Sequence, residues 1–316
     1  MGCWAIGGPF WKGDAAVGYS GTNDVDSKQA IEASWEAGVR VFDTSAVYGA
    51  GHSETLLGEV LGNRDDAIII SKFGHGFDEK TKQMTGAEFD PEYIRDTVKQ
   101  SLKRLKRDQI DIMLLHLNAL EIEHAEIVFD TLETLRASGQ IASFGWSTDF
   151  PQRLDAVAGR AGFSAVQHAM NVFFDAPSLS QIAQKHDIVQ LIRSPLAMGV
   201  LTGKFASGYS IKSDDVRYST GIGDGYFTGG QASVEYAKQL EAIRDLISVG
   251  GRSLAQGALC WLLAKVPNIL PLPGAKNAKQ ASENAASLEF GPLPDDIMQQ
   301  IETVLNRPAE GPARER

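Results

Sequence analysis

The strongest fold signal in the chain is Val39-Arg-Val-Phe-Asp43-Thr-Ser-Ala-Val-Tyr48-Gly49-Ala-Gly51-His-Ser53. An apolar strand runs into the carboxylate of Asp43, Tyr48 follows in a loop rich in glycine, and a helix begins near Ser53. Asp and Gly are ordinary turn residues, so the stretch alone also fits a capped turn that carries a surface tyrosine. Parallel barrels, by contrast, keep their polar chemistry at such strand exits.

Short apolar strands alternate with amphipathic helices along the chain. The predicted strands cover residues 2–8, 39–43, 67–72, 110–116, 141–145, 165–167, 188–192 and 269–272. The predicted helices cover residues 27–37, 53–61, 91–107, 126–138, 151–159, 179–186, 234–249 and 254–264. This alternation predicts an α/β fold, a (β/α)8 TIM barrel formed by a single domain over residues 1–316. No Gly-x-Gly-x-x-Gly run follows an early strand, which argues against an open dinucleotide-binding sheet.

The composition narrows the class of protein. The 316 residues are 43% hydrophobic, which is enough to bury a large core. A net charge of −10 argues against a nucleic-acid partner or an anionic membrane surface. The two cysteines are far apart and lack metal-ligand spacing, so neither a disulfide framework nor a metal site is expected. We find no signal-peptide pattern and no apolar run of transmembrane length, and we expect a cytoplasmic protein.

One segment interrupts the barrel pattern. Residues 204–231 are rich in Gly, Ser, Asp and Tyr and contain no clear helix or strand signal. A loop of this length in a compact domain is either disordered or a binding element. Because it leaves from the end of the seventh predicted strand, we expect a lid-like insertion over the active face.

Polar side chains follow the carboxyl ends of the predicted strands, which lie on one rim of a barrel. Each has an ordinary alternative explanation, since a buried lysine is often ion-paired and a single histidine is often a core group. Their shared position is harder to explain in that way. They are Asp43 (with Tyr48 just beyond it), Lys72, His116, Ser147, Gln167 and Arg193.

Several of these groups together make a proton donor. A tyrosine hydroxyl, with a pKa of about 10, is a weak acid near neutrality. An ammonium group beside it favours the tyrosinate and lowers that pKa, and an aspartate keeps the ammonium charged and in place. A histidine orients a carbonyl oxygen by donating a hydrogen bond. Such a site protonates an oxygen that has just gained electrons. Because no side chain can donate a hydride, the hydride must come from a cofactor.

The sequence resembles the aldo-keto reductase family across nearly its whole length. The matching segments follow the family's order and comprise Phe42-Asp43-Thr-Ser-Ala-Val-Tyr48-Gly49, Ser71-Lys72, Asp111-Ile-Met-Leu-Leu-His116, residues 139–147, 166–171 and 194–204, and Pro273-Gly274-Ala-Lys276 with Glu283-Asn284. This resemblance implies a catalytic tetrad of Asp43, Tyr48, Lys72 and His116, with Tyr48 as the general acid.

The same resemblance implies that NADPH (NADP⁺ when oxidised) binds extended across the barrel top, without a metal. Ser147 and Gln167 would hold the nicotinamide carboxamide, and the loop from Ser194 to Lys204 would wrap the pyrophosphate. The complete set of implied cofactor contacts is Trp4, Asp43, Ser147, Thr148, Gln167, Arg193, Ser194, Leu196, Gly199, Lys204, Gly274, Lys276, Gln280, Glu283 and Asn284.

The sequence departs from the family pattern at several points. The small hairpin that usually precedes the first strand is absent, and Thr148 stands where the family usually has asparagine. Gln280 replaces the basic residue that often meets the 2′-phosphate, which leaves Lys276 as the nearby cation. Arg193 takes the place of an aromatic ring on the nicotinamide. If its guanidinium stacks on the nicotinamide, it would favour the neutral reduced ring over the positively charged oxidised ring. The alternative is that Arg193 points away and pairs with a carboxylate.

Three functions remain open from the sequence. The first is NADPH-dependent reduction of an uncharged or modestly polar aldehyde or ketone to an alcohol. The second is a cofactor-binding redox sensor or regulatory subunit with slow turnover, as the family's potassium-channel β-subunits are thought to be. The third is a lyase or isomerase that uses Lys72 as a Schiff base. For the substrate pocket we expect aromatic walls drawn from Trp4, Phe10, Trp11, Tyr48, Trp146, Tyr226 and Phe227.

Overall fold

Seven parallel strands curl into a barrel wall in the computed structural model, which describes residues 1–205, 209–219 and 225–311. The strands in the described residues are β1 (Trp11–Lys12), β2 (Ala15–Ala16), β3 (Val41–Asp43), β4 (Ile68–Phe73), β5 (His75–Asp78), β6 (Gln83–Ala87), β7 (Ile110–Leu115), β8 (Ile141–Ser147), β9 (Phe163–Ala169), β10 (Val189–Arg193), β11 (Phe227–Thr228), β12 (Gln231–Ala232) and β13 (Ile269–Pro271). The barrel sheet has the order β13-β10-β9-β8-β7-β4-β3.

Helices cover the outside of this sheet. In the described residues they are α1 (Asp24–Glu36), α2 (His52–Leu61), α3 (Pro91–Leu105), α4 (Ile122–Ala137), α5 (Pro151–Val157), α6 (Pro177–Lys185), α7 (Val234–Ile247), α8 (Leu254–Leu263), α9 (Ala278–Ala285), α10 (Ser287–Phe290) and α11 (Asp295–Leu305). The helices predicted between the strands are all present, with ends shifted by a few residues. The α/β barrel prediction is confirmed.

The chain's first residues close the barrel. Gly2 forms parallel bridges to Asp43 on one edge of the sheet and to Gly274 just beyond the other edge. The amide of Cys3 donates to the Asp43 carbonyl at 2.8 Å, and the amide of Gly2 donates to the Pro273 carbonyl at 2.9 Å. The predicted strand over residues 2–8 is therefore wrong in extent, because the chain turns into a 3₁₀ helix at Ala5–Gly7.

Two layers of apolar side chains hold the barrel together. Inside the wall, Ile70, Leu114 and Leu191 are buried against one another. Outside it, the opposite faces of the same strands pack under the helices. Strands that are buried on both faces read as continuous apolar runs, which is why the sequence identifies them.

A second, four-stranded sheet is absent from the sequence prediction. Its order is β2-β1-β6-β5, and it is inserted between β4 and α3 and joined by the segment after Gly8. Much of β6 is exposed, and it contains Gly86 at a φ of 135°. The sequence gives little signal here because the strands lack an apolar face. Helices α9, α10 and α11 were also not predicted.

The described part of the 204–231 segment packs against the barrel mouth. The amide of Val216 donates to the Gly18 carbonyl at 2.8 Å, and the hydroxyl of Ser219 donates to the Ala16 carbonyl at 2.8 Å. Val216 and Tyr226 are fully buried. Residues 206–208 and 220–224 of the predicted lid lie outside the described residues.

Two kinds of feature are missing from the part of the chain that the structure describes. None of its helices is both long enough and apolar enough to cross a membrane. It also contains no group of three or more His, Cys, Asp and Glu side chains suited to a metal ion. Cys3 and Cys260 are both buried free thiols.

A buried ion pair connects α2, β4 and α3. The Glu54 side chain is fully buried, accepts a hydrogen bond from the Ser71 hydroxyl, and pairs with Nε of Arg104 at 2.7 Å. Arg104 also reaches Glu79 at 2.9 Å, but the Glu79 side chain is 62% exposed. One arginine is therefore shared between a buried carboxylate and an exposed one.

We expect Glu54→Ala to lower the free energy of unfolding by about 3–5 kcal/mol, because it removes one partner of a buried pair. Glu79→Ala is the matched control and should cost less than about 1 kcal/mol, since exposed pairs contribute little. Denaturant unfolding of both variants beside the parent protein measures the difference. Equal losses in the two variants would contradict the assignment of Glu54 as a structural anchor.

Candidate active site

Lys72 and Asp43 form a buried ion pair at the carboxyl ends of β4 and β3. The ammonium of Lys72 donates to Oδ1 of Asp43 at 2.7 Å and to the Thr44 carbonyl at 2.6 Å. The Lys72 side chain is fully buried. Burial alone disfavours its charge, but Asp43 and Tyr48 outweigh that effect and raise the pKa of Lys72. The lysine is therefore charged at neutral pH.

Tyr48 lies directly above this pair. Its hydroxyl is 3.4 Å from the Lys72 ammonium, and the same nitrogen lies 4.9 Å from the centre of the Tyr48 ring. Trp4 stacks on the other side at 5.8 Å between ring centres. Burial raises the pKa of Tyr48 above its usual range, and Lys72 opposes this rise without cancelling it. The expectation that Lys72 lowers the pKa of Tyr48 is correct for the contribution of Lys72. The net pKa of Tyr48 is nevertheless raised, because burial has the larger effect.

His116 completes the predicted tetrad in space. Its ring lies edge-on to Tyr48, with 5.9 Å between the ring centres, and lies 5.1 Å from the ring of His75. Nδ1 of His116 is 3.2 Å from the hydroxyl oxygen of Ser45. His75 was not predicted, because it lies beyond the end of β4 in the hairpin of the second sheet.

Gln167 and Ser147 extend the polar rim along β9 and β8. The Gln167 amide donates to Oδ2 of Asp43 at 2.8 Å, so both oxygens of that carboxylate have a partner. Gln167 and Ser147 are nearly buried and still line the cleft. The hydrogen bond from Gln167 to Asp43 links the proton-donating group to the neighbouring carboxamide-binding candidates.

A cleft of about 680 Å³ runs from this group of residues to α9. Most of the predicted site residues line it, and they are Trp4, Asp43, Tyr48, His116, Ser147, Gln167, Arg193, Ser194, Leu196, Gly199, Lys204, Gly274, Lys276, Gln280, Glu283 and Asn284. Lys72 does not line the cleft itself, but it contacts Asp43 and Tyr48, which do. Because Lys72 is buried and charged, the Schiff-base alternative loses its support.

Thr148 differs from the prediction. It is fully buried, its hydroxyl donates to the Asn118 carbonyl at 2.8 Å, and it does not line the cleft. Its neighbour Asn118 does line the cleft. The family resemblance suggested Thr148 because asparagine usually occupies this position, but successive residues beyond a strand end face different directions.

The predicted aromatic wall is only partly correct. Trp4, Phe10 and Tyr48 line the cleft, joined by Tyr19. Trp146 faces away from the cleft and donates through its indole nitrogen to the Leu117 carbonyl at 3.0 Å. The other residues expected there also lie away from the lining, and they are Trp11, Tyr226 and Phe227.

Arg193 lines the cleft and pairs with the buried carboxylate of Asp149. Asp149 also accepts hydrogen bonds from the amide of Ala169 at 2.9 Å and from the side chain of Asn118 at 3.3 Å. The carboxylate alternative is the one that the structure contains. Because Asp149 balances the guanidinium charge, the expected preference for the reduced cofactor loses its electrostatic basis.

Three cationic side chains converge at the far end of the cleft. Lys204 and Lys276 were predicted, whereas Arg217 was not. Arg217 pairs with Asp215 at 2.7 Å, and the Lys276 ammonium lies 3.8 Å from the same carboxylate. Burial, aided by the charge of Arg217, lowers the pKa of Lys276 to about 8. Lys279 and Glu283 also line this end, so four cations face the two carboxylates of Asp215 and Glu283, and this end favours an anion.

The loop from Ser194 to Gly199 bends around the middle of the cleft. Ser194, Ala197, Met198 and Gly199 all have positive φ, between 48° and 103°. Such backbone strain concentrates where loops clamp ligands. Amide and hydroxyl groups at one end, this bent loop, and cations at the other end fit an extended nicotinamide dinucleotide with phosphates toward Lys204, Arg217 and Lys276.

Comparison with known proteins gives one consistent result. A sequence model of the aldo/keto reductase family matches residues 2–306. The chain is 27% identical to the aldo-keto reductase YhdN of Bacillus subtilis, over 99% of this chain and 91% of that protein. It is 24% identical to a putative voltage-gated potassium channel subunit beta of Schizosaccharomyces pombe, over 92% of this chain and 87% of that protein.

Solved structures agree. The glycerol dehydrogenase AKR11B4 from Gluconobacter oxydans superposes with a TM-score of 0.80 at 27% identity, covering 100% of this chain and 93% of that one. An aldo/keto reductase from Klebsiella pneumoniae, in complex with NADP and acetate, has a TM-score of 0.69 at 19% identity, covering 99% of this chain and 93% of that one. The second likeness shows the fold alone.

We expect the pKa of Tyr48 to lie above about 10 in the protein without cofactor, and to rise further in Lys72→Met, because the opposing cation is lost. Titration of tyrosine labelled with ¹³C at Cζ measures both values, and Tyr48→Phe assigns the resonance. A Tyr48 pKa below 10 in the parent protein, or a lower value in Lys72→Met, would contradict the electrostatic description.

Proposed function

Because this chain belongs to the aldo/keto reductase family, we propose that it reduces an aldehyde or ketone to an alcohol with NADPH, and that Tyr48 supplies the proton. The observation that carries this proposal is the Tyr48 hydroxyl at the cleft, 3.4 Å from a buried ammonium that Asp43 holds in place. When bound, the cofactor supplies a hydride to the carbonyl carbon.

Tyr48 is protonated at neutral pH, as a proton donor must be. Burial raises its pKa, so the hydroxyl keeps its proton at neutral pH. The oxygen of a carbonyl that has received a hydride is far more basic than a tyrosinate, so transfer of that proton is favourable. The Lys72 ammonium then stabilises the tyrosinate until it is reprotonated.

The other rim residues orient the reactants. His116 lines the cleft beside Tyr48, and its imidazole donates to the same carbonyl oxygen. Ser147 and Gln167 bind the carboxamide of the nicotinamide, and Trp4 packs along the cleft wall beside Tyr48. The family resemblance and the fact that all four side chains line the same cleft support these assignments.

The cationic end supports a phosphorylated cofactor. Lys204, Arg217 and Lys276 surround a region that also contains the α9 residues Gln280, Glu283 and Asn284. A 2′-phosphate gives NADPH an additional anion for these cations, and NADH lacks it. We assign the pyrophosphate to the Ser194–Lys204 loop.

The substrate end is mostly apolar. Phe10, Val17, Val47 and Met84 line it, and the polar groups His75 and Lys12 lie among them. An uncharged or modestly polar carbonyl compound suits such a surface, because an apolar wall with a few polar groups binds small organic ligands.

A redox sensor with slow turnover is the second candidate. It is supported by the described part of the 204–231 segment, in which the amide of Val216 donates to the Gly18 carbonyl and the carboxylate of Asp215 accepts from the amide of Ser20 at 3.1 Å, so that the segment is held over the phosphate end of the cleft. A fastened segment slows cofactor exchange. Tight NADPH binding with release over minutes and no turnover on any carbonyl would favour this function over the first.

Tyr48→Phe tests the reductase proposal. We expect roughly a 10²- to 10⁴-fold loss of kcat on a carbonyl panel of aromatic aldehydes, 1,2-diketones and sugars, because the proton donor is lost. The NADPH dissociation constant, measured by fluorescence titration, should change little. Turnover near the parent rate in Tyr48→Phe would contradict the role of Tyr48.

The affinity for NADPH should fall with increasing pH. Lys276 is a cation below its pKa of about 8 and loses its charge above it, so its attraction for phosphate is complete near neutrality and weakens as the pH rises through 8. Fluorescence titrations at pH values on both sides of 8 measure this effect. NADH should show little dependence, and Lys276→Met should remove it for NADPH. An equal dependence for NADH would contradict the 2′-phosphate assignment.

A further inference from the structure

The proposed reaction requires a proton on one particular nitrogen of His116. A neutral imidazole carries a single N–H, and the nitrogen that lacks it can only accept a hydrogen bond. To donate to a carbonyl oxygen from Nε2, the ring must leave Nδ1 unprotonated. The partner of Nδ1 decides which nitrogen holds the proton.

Ser45 is that partner. Its hydroxyl oxygen lies 3.2 Å from Nδ1 of His116 and 3.3 Å from the Lys72 carbonyl oxygen. The Ser45 side chain is buried, with only 1% of the residue exposed, so bulk water does not compete for its hydroxyl. The single hydroxyl proton can go to the Lys72 carbonyl or, when Nδ1 is unprotonated, to His116.

The Lys72 carbonyl can accept from Ser45, because a carbonyl oxygen has two lone pairs, but it keeps a donor without it. The amide of Ala46 donates to it at 3.1 Å. If Ser45 donated to the same carbonyl, Nδ1 of His116 would have to carry the proton and donate to Ser45. Nε2 would then be an acceptor and would repel the carbonyl oxygen that it is meant to bind.

The rings on either side restrict the orientation of the imidazole. Tyr48 lies edge-on to it on one side, and His75 packs against it at 5.1 Å on the other. The His75 side chain also bonds to the backbone of His116. These contacts restrict rotation of the ring, so Ser45 keeps facing Nδ1.

We propose that Ser45 is a positioning residue whose hydroxyl donates to Nδ1 of His116 and thereby keeps the proton on Nε2, the nitrogen that binds the reacting oxygen. This inference rests on the proposed carbonyl reduction, and its structural part is independent of turnover. Ser45 itself does not touch the reacting atoms.

The tautomer is measured directly by long-range ¹H–¹⁵N correlation spectra of protein labelled with ¹⁵N histidine. His116→Asn assigns the resonances. We expect Nδ1 of His116 to be of the unprotonated, pyridine type, shifted upfield by an accepted hydrogen bond. Ser45→Ala should remove that upfield shift, and Ser45→Thr, which keeps a hydroxyl, should restore it. A protonated Nδ1 in the parent protein would overturn the proposal.

Kinetics supply the second readout. Ser45→Ala should lower kcat roughly 3- to 10-fold, the effect of one lost hydrogen bond, with an unchanged dissociation constant for NADPH. Ser45→Thr should recover most of the rate. Ser53→Ala is the matched control, because this buried hydroxyl lies in the same region but bonds to Thr44 and Cys3. Its kcat should stay near the parent value.

The outcomes separate this inference from the proposed function. Absence of turnover in the parent protein would count against carbonyl reduction, while the spectra would still report the tautomer. Turnover with a pyridine-type Nδ1, lowered in Ser45→Ala and restored in Ser45→Thr, supports the inference. Equal losses in Ser45→Ala and Ser53→Ala, or no recovery in Ser45→Thr, would overturn it.

Discussion

The buried pair of Lys72 and Asp43 is the interaction on which both the barrel and the site depend. The Asp43 backbone bridges to Gly2 and closes the barrel, while its side chain holds the Lys72 ammonium at 2.7 Å and accepts from Gln167. Breaking a buried pair by removing one partner costs about 3–5 kcal/mol, because an unpaired charge is left behind. The same residue therefore contributes to the seam of the barrel through its backbone and holds the charge beneath Tyr48 through its side chain.

The sequence predicts most of the barrel because strands buried on both faces are mostly apolar, as in Ile68–Phe73 and Ile110–Leu115, where only Ser71, Lys72 and Asp111 are polar. It does not predict the second sheet, whose strand Gln83–Ala87 has no buried residue and no apolar face to detect. The first strand is overestimated for a related reason. Its apolar residues are buried, but a 3₁₀ helix at Ala5–Gly7 buries them as well as a strand would.

The site divides in the same way. Asp43, Tyr48 and His116 are recognisable because their side chains follow strand ends, and parallel strand ends share one rim. Arg217 cannot be recognised from the sequence, because a hydrogen bond between Val216 and Gly18 brings it to the cleft, and these two residues are remote in sequence. The sequence does contain the signal that Trp146 faces away from the cleft. Trp146 is adjacent to Ser147 on β8, and the alternation of side chains along a strand sends the two to opposite faces. The net pKa shift of Tyr48 was not predictable, since its sign depends on burial that no motif encodes.

Transfer of deuterium from NADPH labelled at C4 of the nicotinamide tests the central claim most directly. The account predicts that the alcohol formed by the parent protein carries the label on its carbinol carbon, with no solvent hydrogen at that position. It also predicts that Tyr48→Phe forms little of this product. Label lost to solvent, or a product formed without consumption of NADPH, would contradict the claim that this cleft delivers a hydride to carbon and the Tyr48 proton to oxygen.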